Sequence, residues 1–221
     1  MEHYKKKDME TWERKEHYRY YTEKLKVEFN VTVSLDVKNV LDVCHQKQLK
    51  FYPVMIYLVT KVLNQIENFR MFLNGQGELC VWNQLNPNYT VFHDDDKTFS
   101  DCWTSYSDDF TVFYQNIIKD MKMAEGKRGI KAKENQPADF YCISCVPWIP
   151  FTSCSSRVAN GTPSYFPIIT MGKYEREEGK VKMPINLTIA HAVCDGYHAG
   201  LFFEKLQDEM NYLNDCPVLL R

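Results

Sequence analysis

One short stretch concentrates the residue types that acid–base chemistry needs: Thr188-Ile189-Ala190-His191-Ala192-Val193-Cys194-Asp195-Gly196-Tyr197-His198. Val181, Met183, Ile185, Leu187 and Ile189 alternate along the run before it, so that run reads as a strand with those five on one face. His191 continues their parity toward the packed side, and a partly buried neutral imidazole is a usable base near pH 7. A plainer explanation fits the same residues: a hydrogen-bonded core histidine at a strand end, an aspartate that caps a helix, and a glycine that serves a turn. H-x-x-x-D-G between an apolar strand and an amphipathic helix leaves both open on the residues alone. Cys142 and Cys145 form a lone C-x-x-C, again in a strand-like run, where residues three apart point to opposite faces. Structural zinc asks for four ligands, so no metal is expected there.

The elements that would position these residues are mixed. Leu25, Val27, Phe29, Val31, Val33, Leu35 and Val37 alternate with polar residues, which predicts an extended strand with one buried face. Trp12 to Tyr21 reads as a short helix. Tyr52-Pro53 opens another, whose apolar stripe runs Met55, Leu58, Val59, Val62, Ile66 and Phe69. Short strands are expected near Leu79 to Trp82 and Tyr89 to Phe92, a helix over Phe110 to Met123, and a polar loop from Glu125 to Ala138. Further strands follow at Phe140 to Val146, Ile168 to Tyr174 and Val181 to Ile189, then a final helix through Phe202, Leu206, Met210 and Leu213. The class is α/β (α+β), one domain over residues 1–221 with helices packed on a mixed, mostly antiparallel sheet.

The net charge of -2 argues against a nucleic-acid partner, which selects basic faces. Nothing approaches the ~20 apolar residues of a membrane span. Met1 to Arg14 is charged and lacks an apolar h-region, so no secretory signal is expected, and the eight scattered cysteines read as reduced and cytoplasmic.

His191-Ala192-Val193-Cys194-Asp195-Gly196-Tyr197-His198 resembles the signature of type A chloramphenicol acetyltransferases. Five further segments resemble that family in order and spacing: Trp12 to Tyr18, Phe51 to Tyr57, Tyr89 to His93, Ile143 to Trp148 and Pro167 to Tyr174. The likeness runs from about residue 4 to 213. The same H-x-x-x-D-G occurs in dihydrolipoyl acyltransferases, which carry lipoyl domains and linkers in a longer chain. The resemblance implies a two-layer CoA-dependent acyltransferase fold, a cytoplasmic homotrimer with sites at subunit interfaces, acetyl-CoA as co-substrate, no metal, and resistance to the antibiotic. It implies that His191 takes the proton of the acceptor hydroxyl, so that the alkoxide attacks the thioester without an acyl-enzyme. Ser144 would then donate to the oxyanion, Thr170 would hold a water, and Arg14 would pair with Asp195 to fix the active-site loop. Tyr21, Phe29, Thr90 and Phe99 match acceptor-pocket positions, and Trp148, Lys173 and Tyr174 match segments lining the CoA side.

Two departures stand out. Ala190 precedes the base where the family has a second histidine. Asp101, Lys131, Cys154 and Ser156 occupy pocket positions expected to be apolar or small, and Asp101 and Lys131 either turn outward or pair with each other. A same-fold transferase acting on another small alcohol, and a non-catalytic binder, therefore stay open beside the chloramphenicol reading.

Overall fold

The computed structural model describes residues 3–156 and 163–213. A small antiparallel sheet joins β1 (Tyr4–Lys6), β3 (Met71–Leu73) and β4 (Leu79–Trp82) in the order β1-β4-β3. The main sheet comprises β2 (Glu28–Asp36), β5 (Asn86–His93), β6 (Thr98–Trp103), β7 (Phe140–Val146), β8 (Ile168–Gly172), β9 (Glu175–Glu177) and β10 (Lys180–Ala190). Its order is β2-β10-β8-β7-β5-β6, with β9 paired to the start of β10. The β5–β7 and β7–β8 pairs are parallel and the others antiparallel, the mixed sheet expected of the chain.

One face of this sheet packs on α2 (Lys38–Lys47), α3 (Phe51–Gln65), α4 (Phe110–Glu125) and α5 (Gly196–Asn211). The core sits between them: Tyr89, Tyr141, Ile143, Ile169, Met171, Ile185 and Leu187 are all essentially buried. α3 runs through the middle and is buried almost all round, with Val54 through Thr60 inaccessible. The sequence predicts an amphipathic stripe there, continuing through Ile66 and Phe69. The helix instead ends at Gln65, and Phe69 is buried from the 3-10 turn Glu67–Arg70. A helix apolar on every side belongs inside a layer, with neighbours on all flanks.

The N-terminal stretch forms α1 (Lys15–Arg19), which runs on into a π-helical turn, Tyr20–Lys24. That turn overrides the alternation at Leu25 and Val27, so β2 starts only at Glu28. The charged turn before β10 holds β9, closed by Glu178 and Gly179 at φ 48° and 80°. Two consecutive positive φ values are what a two-residue hairpin loop needs. Lys173 and Tyr174 lie beyond the end of β8 rather than within it.

On the face away from the helices, register lines up a polar row. Thr32 pairs with Asn186, Asn186 with Thr170, and Thr170 with Ser144. Thr90 follows Tyr89, the last registered partner of Ile143, and so stands beside Ser144. Thr90 pairs with Asp101, and Asp101 bridges in parallel to Lys131. Registered partners point to the same face, so these side chains line one surface.

Candidate active site

His191 sits at the first position of the turn that follows β10, its backbone N–H bonded to the Val27 carbonyl at 3.0 Å. The imidazole is held by rings. Tyr21 stacks on it at 4.0 Å with planes 10° apart, and Phe29 meets it edge-on at 5.4 Å. Its Nδ1 is buried and bonds no group among the described residues. Asp195 therefore does not orient this imidazole as a third member of a triad. Asp195 instead caps α5, accepting from Tyr197 N–H at 3.1 Å, and its other contacts go to His198 at 2.8 Å and to Arg14. The helix-cap reading and the arginine pairing both hold for this one carboxylate. Arg14 also reaches the carbonyls of His191 and Ala192 at 3.3 and 3.4 Å, so one guanidinium ties the N-terminal segment to both ends of the turn. Cys194, inside the same turn, is fully buried, and burial pushes its thiol up to about 12. At neutral pH it is no nucleophile.

Burial alone raises the Asp195 pKa, but Arg14 and then His198 outweigh it and hold the carboxyl below its usual 3.8. A lowered folded-state pKa stabilises the fold above the unfolded value, and that stability is lost as pH falls through the folded one. Arg14→Ala is expected to cost about 1–3 kcal/mol, less than the ~3–5 of a fully buried pair because Asp195 is 31% exposed. The thermal midpoints of parent and variant should differ by several degrees at neutral pH, and the gap should narrow as pH falls below 3.8 and through the lowered folded-state pKa of Asp195. A gap unchanged down to pH 3 would sink the assignment of that energy to the pair.

The second group lies elsewhere. Ser144 and Thr170 stand side by side on β7 and β8 in the polar row, and neither hydroxyl bonds another described residue. Thr170 is nearly buried. Thr90 continues the row, and Phe99 lies one row over, paired with Phe92 and 48% exposed. His191 lies five residues along β10 from Asn186, which shares Ser144's row two strands away. Strand geometry puts the two Cα atoms roughly 15–20 Å apart. They also lie on opposite faces, since Phe29, against the imidazole, pairs with Ile189 of the helix-packed face. The structure thus brings together Arg14, Tyr21, Phe29, His191 and Asp195, and separately Thr90, Phe99, Ser144 and Thr170. It does not bring the two groups together within one chain.

Trp148 and the ends of β5 and β7 border a cavity of about 390 Å³, whose wall includes Lys50, Phe51, Tyr52, Thr90 and Cys145. Trp148 is 59% exposed and touches Phe92, while Tyr174 meets Phe51 edge-on at 6.1 Å. Lys173 N–H bonds the Ile149 carbonyl, fixing the Trp148 loop to the end of β8. Gly172 permits that approach: a Cβ there would lie 2.6 Å from Pro184 and 3.0 Å from the Ile149 carbonyl. Sequence reading missed Lys50, Phe51 and Tyr52 as a cavity wall, although the family likeness of Phe51 to Tyr57 and the aromatic pair ahead of Pro53 both marked the segment. Of the departures, Asp101 and Lys131 pair with each other at 3.3 Å. Cys154 is half-buried and Ser156 exposed, both on the loop after β7 and off the sheet. Cys142 and Cys145 fall on opposite faces of β7, and burial pushes both thiols up to about 11.

The helix-backed mixed sheet matches the fold of solved CoA-dependent acyltransferases. A solved chloramphenicol acetyltransferase superposes with a TM-score of 0.87 at 23% identity, over 94% of this chain and 99% of its own. A dihydrolipoamide acetyltransferase of Azotobacter vinelandii follows at 0.65 and 16%, over 88% of this chain and 84% of its own. In sequence, the family model for chloramphenicol acetyltransferase matches residues 2–207. The chloramphenicol acetyltransferase of Clostridium perfringens is 35% identical over 91% of this chain and 92% of its own. One from Staphylococcus aureus is 35% identical over 96% and 98%. The chain belongs to the chloramphenicol acetyltransferase family.

Proposed function

We propose that the chain transfers an acetyl group from acetyl-CoA to a hydroxyl of chloramphenicol, in the cytoplasm, and so confers resistance to it. His191 takes the proton from the acceptor hydroxyl, the alkoxide attacks the thioester carbonyl, and Ser144 donates to the oxyanion that forms. Thr170, beside Ser144, holds a water there, and Arg14 with Asp195 keeps the His191 turn in place. Tyr21, Phe29, Thr90 and Phe99 border the acceptor, and Trp148, in the wall of the 390 Å³ cavity, borders acetyl-CoA together with Lys173 and Tyr174 from the adjoining segment after β8. General-base assistance contributes ~10²–10⁴-fold and one oxyanion donor ~10²–10³-fold. No step calls for a metal.

The observation that carries this reading is the division of the site. A base without a donor and a donor without a base, each poised and roughly 15–20 Å apart, become one site when His191 of one copy faces Ser144 of a neighbour. Exposed apolar side chains flank both halves: Tyr20 and Leu25 near His191, Phe92, Phe99 and Trp148 near Ser144. Such rings favour a covered interface. The two halves use different surfaces, so the contact is head-to-tail, and a closed head-to-tail ring of three is the homotrimer that we assign.

The test is release of free CoA thiol from acetyl-CoA, with and without chloramphenicol. Release that depends on chloramphenicol supports the assignment. Release with other alcohols but not with chloramphenicol replaces the acceptor, a reading that the Asp101–Lys131 pair favours. Saturable chloramphenicol binding with no release for any alcohol would make the chain a binder.

A further inference from the structure

The polar row that carries Ser144 ends in a charged pair, and its position has a chemical use. Asp101 N–H bonds the Ile130 carbonyl at 2.6 Å, and Ala132 N–H bonds the Asp101 carbonyl at 2.9 Å. These two bonds pin Lys131 beside Asp101 as a further member of the sheet edge. Lys131 Nζ reaches Asp101 Oδ2 at 3.3 Å and Gln136 Oε1 at 2.8 Å. An ammonium has three donors, so one stays uncommitted. Lys131 is 53% exposed, and the carboxylate beside it 22%, so the free donor faces solvent-accessible space rather than core. Two strand spacings separate Ser144 from Asp101, about 10 Å. Thr90 floors that span, and Phe92 and Phe99, both exposed, border it one row over.

We propose that Lys131, held by Asp101 and Gln136, is a specificity-determining residue that selects alcohols bearing a hydrogen-bond-accepting group roughly 10–15 Å from the reacting hydroxyl. The acceptor class is an aryl alcohol whose ring lies along Phe92 and Phe99 and whose far end carries a nitro, sulfonyl or similar acceptor. This rests on the acetyl-transfer reading above. An apolar far end would cover the ammonium's third donor and leave that one donor without a partner, which costs more than the missing bond itself. Selection therefore falls on kcat/KM through KM, since the ammonium never touches the reacting atoms.

The experiment compares chloramphenicol, its para-methylsulfonyl analogue and its para-unsubstituted analogue as acceptors, by CoA thiol release. The enzymes are the parent, Lys131→Met and Lys131→Arg. The parent is expected to favour the nitro and sulfonyl acceptors over the unsubstituted one by about tenfold in kcat/KM. Lys131→Met should erase that ratio by raising KM for the two polar-ended acceptors alone, and Lys131→Arg should keep it. Transfer with the same ratio in parent and Lys131→Met overturns the proposal while leaving acetyl transfer intact. A loss in Lys131→Met equal for all three acceptors also overturns it, because that marks a structural role. No transfer by the parent to any of the three overturns the underlying reading, and the proposal with it.

Discussion

His191→Ala is expected to lower kcat for chloramphenicol acetylation by ~10²–10⁴-fold while KM for acetyl-CoA stays within about twofold. The split follows from where the residue sits. The imidazole lies between Tyr21 and Phe29, on the opposite face from Ser144 and far from the Trp148 cavity within the chain. Truncation removes the proposed base and leaves the proposed acetyl-CoA wall untouched. No neighbouring group replaces it. Asp195 is committed to Arg14 and His198, and Cys194 remains a thiol at neutral pH. His191→Gln keeps much of the ring's volume and should fall as far in kcat. That separates loss of the base from loss of packing against Tyr21. Steady-state kinetics with both variants, beside their thermal midpoints, decides it: kcat retained within tenfold in either folded variant removes His191 from the base role.

How much of this was legible in the sequence depends on periodicity. β7 begins and ends where its apolar run does, and β10 extends one residue beyond its run at each end, because a strand that feeds a core shows its limits as hydrophobicity. β6 was invisible for the opposite reason. It is the last strand in the sheet order, its Phe99 faces outward, and its inward residues include Ser100 and Cys102 rather than large aliphatics. α2 passed unread because only Val40, Val43 and Cys44 are buried from its ten residues, and Gln48, at φ 54°, turns the chain into α3 almost at once. The site residues were named from motifs, but their arrangement was not. That Ser144, Thr170, Thr90 and Asp101 share a row follows from registers between strands far apart in sequence, and no local pattern encodes register between β7 and β8. The pairing of Asp101 with Lys131 was one of two open outcomes. Backbone bonds from Asp101 to the carbonyl of Ile130 and the amide of Ala132 decide it. The hydrogen-bonded cluster of Asn30, Asn186, Thr188 and Thr32 on the same face, in which only Asn186 and Thr188 are buried, went unnoticed. It reads as scattered polar residues until the β2–β10 pairing brings them together.

Mixing two inactive variants is expected to restore activity. His191→Ala keeps the Ser144 half, and Ser144→Ala keeps the His191 half and retains ~10⁻²–10⁻³ of parent turnover. If each site takes His191 from one subunit and Ser144 from the next, a hybrid ring contains sites that receive both intact halves. Dissociating the two variants at equal concentration and letting them reassemble at random gives such a site with a chance of one half times one half. Activity should therefore recover to about a quarter of the parent's in a closed head-to-tail ring. The same proteins mixed without dissociation serve as the control and should stay at the sum of their residual activities. A site completed within one chain predicts no recovery at any ratio, because every chain then carries one broken half. It would also require His191 to cross roughly 15–20 Å and change faces of the sheet, past a β10 whose backbone is paired to β2 on one side and β8 on the other. The sheet that holds Ser144 and Thr170 opposes that movement, and this is why we propose that the assembly, rather than any motion of the subunit, closes the distance.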